Sequence, residues 1–170
     1  MHCKVITQPV KKYAIKYFGF TLIEILVVIG IVAILALATI PSQVGRFNQK
    51  RIAETIELAQ GFKQSIQGFY QINGKFPVDN AEAGMPEPEK ILGNYLEGLE
   101  VVDGVMHLQL GNKLTRFKGQ TVSIFPVFVE GSPTSPISWV CGHGSAPEGM
   151  TMAGENKTSI NSSNLPLSCR

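Results

Sequence analysis

The chain has 170 residues, enough for one modest domain, and its 15 basic and 13 acidic residues give a formal net charge of +2. Four of the basic residues, all lysines, lie within residues 1–19, where there is no acidic residue. Residues 20–170 therefore carry 11 basic and 13 acidic side chains, a net charge of −2. The overall charge gives no support to nucleic-acid binding.

Residues 20–40 form the only long apolar run, with Glu24 as its single charge among 21 residues. As a helix such a run extends for about 31 Å, the thickness of a bilayer's hydrocarbon core. It is therefore predicted to be a transmembrane helix. The cationic flank before it predicts a cytoplasmic N-terminus and an outward C-terminus.

Glu24 needs an explanation, because a charge deep in a bilayer costs about 2.5–3.5 kcal/mol unless it has a partner or lies near the interface. A cut between Gly19 and Phe20 would place a new α-amine four residues before Glu24, about one helical turn away. The pair could then meet within one molecule or between neighbours. Without a cut, Glu24 could instead reach the headgroups from near the helix end. Both interpretations fit the residues themselves.

The segment from Gly19 to Ile29, Gly-Phe-Thr-Leu-Ile-Glu-Ile-Leu-Val-Val-Ile, resembles the N-terminal motif of type IV pilins, and the likeness continues to Pro41. The resemblance implies cleavage after Gly19 by prepilin peptidase and methylation of the new Phe20 amine. It also implies that Glu24 contacts the N-terminus of a neighbouring subunit during assembly. Secretion pseudopilins and minor pilins share this motif, so it indicates the family and not the member.

The three cysteines are Cys3, Cys141 and Cys169. Removal of a leader at residues 1–19 leaves the last two, in a part of the chain predicted to face an oxidising compartment. A Cys141–Cys169 disulfide is therefore expected, with a stabilisation of about 3–4 kcal/mol from loop closure. The alternative is a pair of unpaired buried thiols.

Helical periodicity resumes after Pro41 and continues over residues 41–73. Pro41 is expected to kink one long helix and not to separate two helices, although it removes a backbone donor. The second half is an amphipathic helix that ends at Asn73-Gly74, a sequence suited to a left-handed cap. Its apolar stripe consists of Ile52, Ile56, Ala59, Phe62 or the stem of Lys63, Ile66 and Phe69.

Four short strands are predicted after a proline- and glycine-rich loop at residues 75–96. Asp103-Gly104 suits a tight hairpin turn between the first two, and Pro126 in the third is best placed at an edge or bulge. The predicted strands are Leu99–Val102, Val105–Leu110, Thr121–Val129 and Ile137–Cys141. The fold class is thus α+β, with a roughly four-stranded antiparallel sheet on the helix stripe and a C-terminal region bounded by the disulfide.

The order of these elements also resembles a type IV pilin, and residues 73–77, 137–141 and 165–170 look like pilin segments. With them the resemblance covers nearly the whole chain and favours a structural pilin over a pseudopilin. Two features depart from the family: the leader is long, and Gln43 and Arg46 replace the aromatic residues common after the proline. The predicted organisation is a cleaved leader (1–19), a transmembrane or filament-core helix (20–40), an amphipathic head helix (41–73), and a loop, sheet and disulfide region (74–170).

Other chemistry has little support in the sequence. Zinc usually requires four ligands at recognisable spacings. For Cys141, His143, Cys169 and His107, a disulfide beside a surface histidine is therefore the favoured interpretation. No Gly-x-Ser-x-Gly elbow or P-loop spacing occurs, so neither an enzyme nor a cofactor is predicted. A small basic cluster lacks interleaved aromatics and is better explained as a solvated loop than as a DNA site. Its members are Lys113, Arg116 and Lys118.

The leading hypothesis is a type IV pilus subunit with no cofactor, anchored in the bacterial inner membrane before assembly and extracellular in the filament. Phe20, Glu24 and Pro41 would take part in assembly. The expected partners are further copies of the chain, prepilin peptidase and methyltransferase, the assembly platform and membrane lipid. One alternative is a minor pilin or type II secretion pseudopilin. Another is a soluble periplasmic domain released by signal-peptide cleavage after Ala38, since Ala36-Leu37-Ala38 has the small-x-small pattern.

Overall fold

The computed structural model describes residues 19–170, except for the side chains of residues 37–44. Of the predicted leader, only Gly19 is among the described residues, so residues 1–18 with Cys3 lie outside them. The chain divides into two compact units at the junction of Ile40 and Pro41. The described part of the first unit is helical from Leu22 onward, whereas the second unit contains helix and sheet.

Helix α1 spans Leu22–Leu58, so Pro41 does not end it. A bend at Pro41 stays a prediction. The chain continues as α2, Gln60–Asn73. The sequence predicted one helix that continues without interruption to Asn73, and this detail is wrong, because the helix is interrupted at Ala59. The interruption is local: Ala59 keeps helical dihedral angles, but the amide of Phe62 bonds to the Ala59 carbonyl three residues back, at 3.1 Å.

The end of α2 confirms the predicted cap. Gly74 has a positive φ of 69°, and its amide donates to the carbonyl oxygen of Tyr70 at 2.8 Å. Glycine adopts this left-handed conformation without the steric penalty that a Cβ brings. The chain consequently leaves the helix at the predicted position and enters the connecting loop.

The sheet is antiparallel, with strand order β1-β2-β3-β4 and a short β5 that also pairs with β3. The β1–β2 turn lies at Asp103-Gly104, where both residues have positive φ, as the sequence predicts. The strands are β1 Leu96–Val102, β2 Val105–Leu110, β3 Thr121–Phe128, β4 Ser138–Cys141 and β5 Thr151–Met152. The α+β prediction is confirmed, with a fifth strand that the sequence analysis did not identify.

Pro126 is not at a sheet edge, which corrects the prediction. It lies in β3 and pairs with Trp139 of β4, while β2 pairs with the other part of β3. Pairing between β2 and β3 ends at Ile124, two residues before Pro126. Proline has no N–H to donate, and β2 does not need one at this position. The Pro126 carbonyl still accepts a hydrogen bond from the Ala153 amide at 3.1 Å.

The helix stripe packs on the sheet as predicted. Ile52, Ala59 and Ile66 recur every seven residues, which places them on one helix face, and all three are fully buried. The sheet side of the core comes from alternating strand residues, among them Leu99 and Met106. Burial of these side chains supplies the main stabilisation of the head, at about 1.5–3 kcal/mol for each large apolar side chain.

The C-terminal segment after β4 belongs to the core and does not trail from it. The predicted disulfide joins Cys141 to Cys169, with a Cα–Cα distance of 4.7 Å. Ile160 and Leu165, between the two cysteines, are fully buried in the same cluster as Ile52. The disulfide and apolar packing therefore hold this region together.

Candidate assembly site at the start of the N-terminal helix

Gly19, Phe20 and Thr21 precede α1 and are not helical. The Phe20 side chain is 77% exposed. A protease must bind its substrate in an extended, accessible form, and a segment outside the helix hydrogen-bond ladder meets that requirement. The predicted cleavage position thus lies where the chain is accessible, two residues before the helix starts.

Thr21 and Glu24 form a reciprocal pair at the first turn. The Glu24 amide donates to Thr21 Oγ1 at 3.3 Å, and the Thr21 amide donates to Glu24 Oε2 at 3.3 Å. This is a capping box, in which two side chains satisfy two amides that a helix start leaves without partners. The negative charge of Glu24 is also favourable near the positive end of the helix dipole.

Thr21 was not singled out in the sequence analysis. The signal that could have identified it is the Thr-x-x-Glu spacing directly before an apolar helix. The sequence analysis paired Glu24 with an α-amine, within one molecule or between neighbours, or placed it near the headgroups, but it did not pair it with Thr21. The structure shows that its carboxylate also has a partner within its own helix.

Beyond Glu24, the described side chains up to Ala36 are apolar on every side of α1 and exposed. Side chains at consecutive positions such as Leu26, Val27 and Val28 point in different directions around a helix, and all of them are about half exposed. A helix that is apolar all round is normally buried by a partner or by lipid. The exposed apolar surface of this part of α1 is therefore expected to be buried against a partner helix or lipid.

No helix among the described residues combines the length and hydropathy needed to cross a membrane. The predicted span, residues 20–40, includes positions 37–40, whose side chains lie outside the description. The structure does not show the predicted transmembrane helix. The same limit applies to Pro41, whose side chain is also outside the described set.

In the head, the residues considered for a metal site have other partners. Cys141 and Cys169 are bonded to each other, and Nε2 of His143 lies 2.9 Å from the carbonyl oxygen of Ile160. Nδ1 of His107 lies 2.9 Å from Ser123 Oγ. Within residues 19–170, no group of three or more metal-ligating side chains comes together.

The basic cluster consists of side chains that each have a local contact. Lys118 Nζ lies 3.6 Å from Glu97 Oε1, and Lys113 Nζ lies 3.4 Å from Asn94 Oδ1. The Arg116 guanidinium lies 5.8 Å from the centre of the Phe117 ring. These contacts fit the solvated-loop interpretation.

Comparison with known proteins gives two family matches, which lie on either side of residues 41–50. The pilin family, described as a bacterial filament family, matches residues 51–170. The prokaryotic N-terminal methylation motif matches residues 16–40, which contain Gly19, Phe20 and Glu24.

Curated relatives agree with these matches. A fimbrial protein of Neisseria meningitidis serogroup B is 31% identical over 162 residues, covering 89% of this chain and 93% of the relative. The type IV major pilin protein PilE1 of Neisseria gonorrhoeae is 31% identical over 159 residues, covering 89% and 86%. The fimbrial protein EcpC of Eikenella corrodens is 30% identical over 129 residues, covering 72% and 80%. The chain belongs to the type IV pilin family.

Proposed function

We propose that this chain is a structural subunit of a type IV pilus, which is cut after Gly19, methylated at Phe20 and polymerised through its N-terminal helix. The observation that carries the proposal is the exposed, wholly apolar start of α1, with one charge held at its first turn. The pilin and methylation-motif matches support it, as do relatives whose names describe fimbrial proteins and major pilins.

Processing is supported by the backbone around the proposed cut. Gly19 and Phe20 are non-helical and exposed, so prepilin peptidase could bind them without unwinding α1. The product would begin with a charged amine at Phe20, one helical turn before the Glu24 carboxylate. Methylation by the same processing pathway would act on that amine.

Assembly would use the Glu24 carboxylate in two ways. Within one subunit it accepts the Thr21 amide, which fixes its position at the helix start. A carboxylate has two oxygens and several lone pairs, so it can accept a further charge-assisted bond from the Phe20 amine of a neighbouring subunit. In the apolar interior of a filament this pairing would set the axial register of one helix against the next.

Localisation follows from the same segment. Before assembly, residues 20–40 would hold the subunit in the inner membrane, with its N-terminus cytoplasmic as the preceding lysines predict. In the filament, helix contacts would replace the lipid contacts around the apolar side chains. The domain boundaries proposed from the sequence (1–19, 20–40, 41–73 and 74–170) describe these roles, with Pro41 shaping the helix between anchor and head.

No catalytic role is proposed, because the relatives are filament proteins and the processing chemistry belongs to another protein. The relatives' names also favour a major subunit over a minor pilin or pseudopilin. Release of a periplasmic domain after Ala38 would discard the motif that matches over residues 16–40. Adhesion, twitching motility or DNA uptake would be activities of the assembled pilus.

The proposal is tested with Glu24→Gln and Glu24→Ala variants in cells, scored by the amount of pilin in sheared filaments and by membrane-bound subunit. Both variants should retain membrane-bound protein and lose filaments, because neither side chain carries the charge that pairs with an amine. Glu57→Gln, at an exposed carboxylate later in α1, is the matched control and should assemble normally. Normal filaments from both Glu24 variants would overturn the register proposal.

A further inference from the structure

A polar pocket of about 330 Å³ opens on the outer face of β1 and β2, away from the helix stripe. This volume is at the small end of ligand sites. None of the pocket's lining residues takes part in the proposed processing or assembly. Three carboxylates line it (Glu89, Glu97 and Glu100), together with His107 and Lys157. The rest of the lining comes from the polar Gln109 and Thr121 and from Pro88 and Gly98.

The floor of the pocket is a cross-strand row. Glu100 of β1 is opposite His107 of β2, and His107 is opposite Ser123 of β3. The C-terminal segment crosses this row at Lys157, whose backbone amide donates to Ser123 Oγ at 3.1 Å. The Lys157 ammonium lies 3.9 Å from Glu100 Oε2. Three strands and the disulfide-bounded segment therefore build the site together.

The hydrogen bonds of His107 are compatible with both neutral tautomers of its ring. Ser123 Oγ accepts the Lys157 amide and lies 2.9 Å from Nδ1 of His107, and the hydroxyl can either donate to Nδ1 or accept from it, because it has one proton and two lone pairs. Burial, and then the positive charge of Lys157, lower the pKa of His107 to about 4, so the ring is neutral at physiological pH. Nε2 is therefore a donor in one tautomer and an acceptor in the other.

Nε2 has no hydrogen-bond partner in either role within the described part of the chain. His107 is only 4% exposed, and its Nε2 is the buried side-chain atom there that lacks a hydrogen-bond partner. Buried polar atoms are nearly always satisfied, so Nε2 of His107 calls for a hydrogen-bonding partner inside the adjoining cavity. That partner must come from a bound molecule or from water.

Charge decides which class of molecule fits. An anion would face Glu89, Glu97 and Glu100 at close range, which disfavours it. A cation would be repelled by the lysines that already lie beside two of these carboxylates, with Lys157 Nζ 3.9 Å from Glu100 Oε2 and Lys118 Nζ 3.6 Å from Glu97 Oε1. A neutral hydroxyl group both donates and accepts, so a molecule with several hydroxyls can satisfy the carboxylates and the histidine together.

We propose that this pocket binds a neutral, hydroxyl-rich ligand of the size of one sugar ring. Nε2 of His107 forms a hydrogen bond with one ligand hydroxyl, which can accept or donate as the tautomer requires, and the carboxylates of Glu97 and Glu100 accept from other ligand hydroxyls. Gln109 offers both a donor and an acceptor, and the Pro88 ring offers an apolar face to the carbon skeleton. This inference does not depend on processing or filament assembly.

The test is a titration of the full chain in micelles of a zwitterionic detergent, which has no sugar headgroup, monitored by heteronuclear NMR. The probes are the methyl glycosides of glucose, galactose, mannose and N-acetylglucosamine, each taken to about 50 mM because weak sites bind with millimolar Kd. At least one probe should give saturable shifts of the His107 ring and the Gly98 amide. No saturable shift with any probe would mean that the pocket holds water only and would overturn the proposal.

Two exposed carboxylates provide a matched pair of variants. Glu100→Ala removes a lining acceptor and should weaken binding at least fivefold, whereas Glu155→Ala, outside the lining, should leave it unchanged. Equal weakening by both would overturn the site assignment. Tighter binding of ethylammonium than of every glycoside would show a cation site instead, and the proposal would fail.

Discussion

Thr21 and Glu24 close the first turn of α1 with two reciprocal hydrogen bonds, each of 3.3 Å. The carboxylate required for the proposed assembly contact is thus held by its own helix before any neighbour arrives. A side chain that is already positioned loses less conformational entropy when it binds. The capping box therefore connects the stability of the helix start to the geometry of assembly.

Substitution of Thr21 should reveal this connection. Thr21→Val keeps the shape of the side chain but removes the oxygen that accepts the Glu24 amide, at a cost of about 0.5–2 kcal/mol to the helix start. Filament yield should fall, while Thr21→Ser, which retains the hydroxyl, should assemble like the unchanged protein. Equal yields from the Val and Ser variants would show that the cap has no part in assembly.

The Cys141–Cys169 disulfide should be a main contributor to the stability of the head. It joins residues 28 apart in the chain, and a loop of that length corresponds to about 3–4 kcal/mol. The paired Cys141→Ser and Cys169→Ser substitutions should lower the free energy of unfolding in urea by that amount. If the paired variant loses less than about 1 kcal/mol of unfolding free energy, the packing of Ile160 and Leu165 is enough to hold the C-terminal region without the disulfide.

Gly142 and Gly149 form a natural matched pair, because both have positive φ but only one is crowded. A Cβ at Gly142 would meet the Cys169 carbonyl and Leu165, whereas at Gly149 no atom lies within 4 Å. Gly149→Ala should cost about 1–2 kcal/mol from backbone strain alone. Gly142→Ala should cost about 1–3 kcal/mol more through overpacking. Equal losses in urea unfolding would contradict the close packing of the C-terminal segment.

Protonation of His107 should destabilise the head in acid. Burial and the nearby Lys157 lower its folded-state pKa from 6.5 to about 4, so between these pH values the unfolded chain binds more protons than the folded one. The contribution of the neutral ring to stability is complete above pH 6.5 and is lost as the pH falls toward 4. One pKa unit corresponds to about 1.4 kcal/mol. After a reduction for partial screening by solvent, the expected loss in the free energy of unfolding is about 1–3 kcal/mol.

The measurement is the free energy of unfolding in urea across pH 4–7 for the unchanged chain and for His107→Gln, which cannot titrate. The variant should have a shallower pH dependence, even though its stability at pH 7 is lower. Identical slopes in His107→Gln and the unchanged chain would rule out His107 as the source.

Local signals predicted much of this fold because they act over a few residues. Gly74 and the Asp103-Gly104 turn both require positive φ, which few residue types adopt, so their positions could be read directly. The helix stripe from Ile52 to Ile66 follows from periodicity alone. The disulfide was predicted from the cysteine count together with the leader.

The missed features depend on partners distant in the chain. β5 has two residues, Thr151 and Met152, too few for any pattern, and it exists because β3 offers them a partner. Pro126 is tolerated inside the sheet because β2 stops pairing with β3 at Ile124. The residues of β3 alone do not predict where that pairing ends. The His107 pocket likewise requires Lys157 to cross from the C-terminal segment.

The central claim is that this chain is processed as a pilin subunit before it assembles. Mass spectrometry of the mature protein's N-terminal peptide tests this most directly. A peptide that begins at Phe20 and carries one added methyl group on its amine is the predicted result. A mature chain that begins at Thr39, or that retains residues 1–19, would contradict the account.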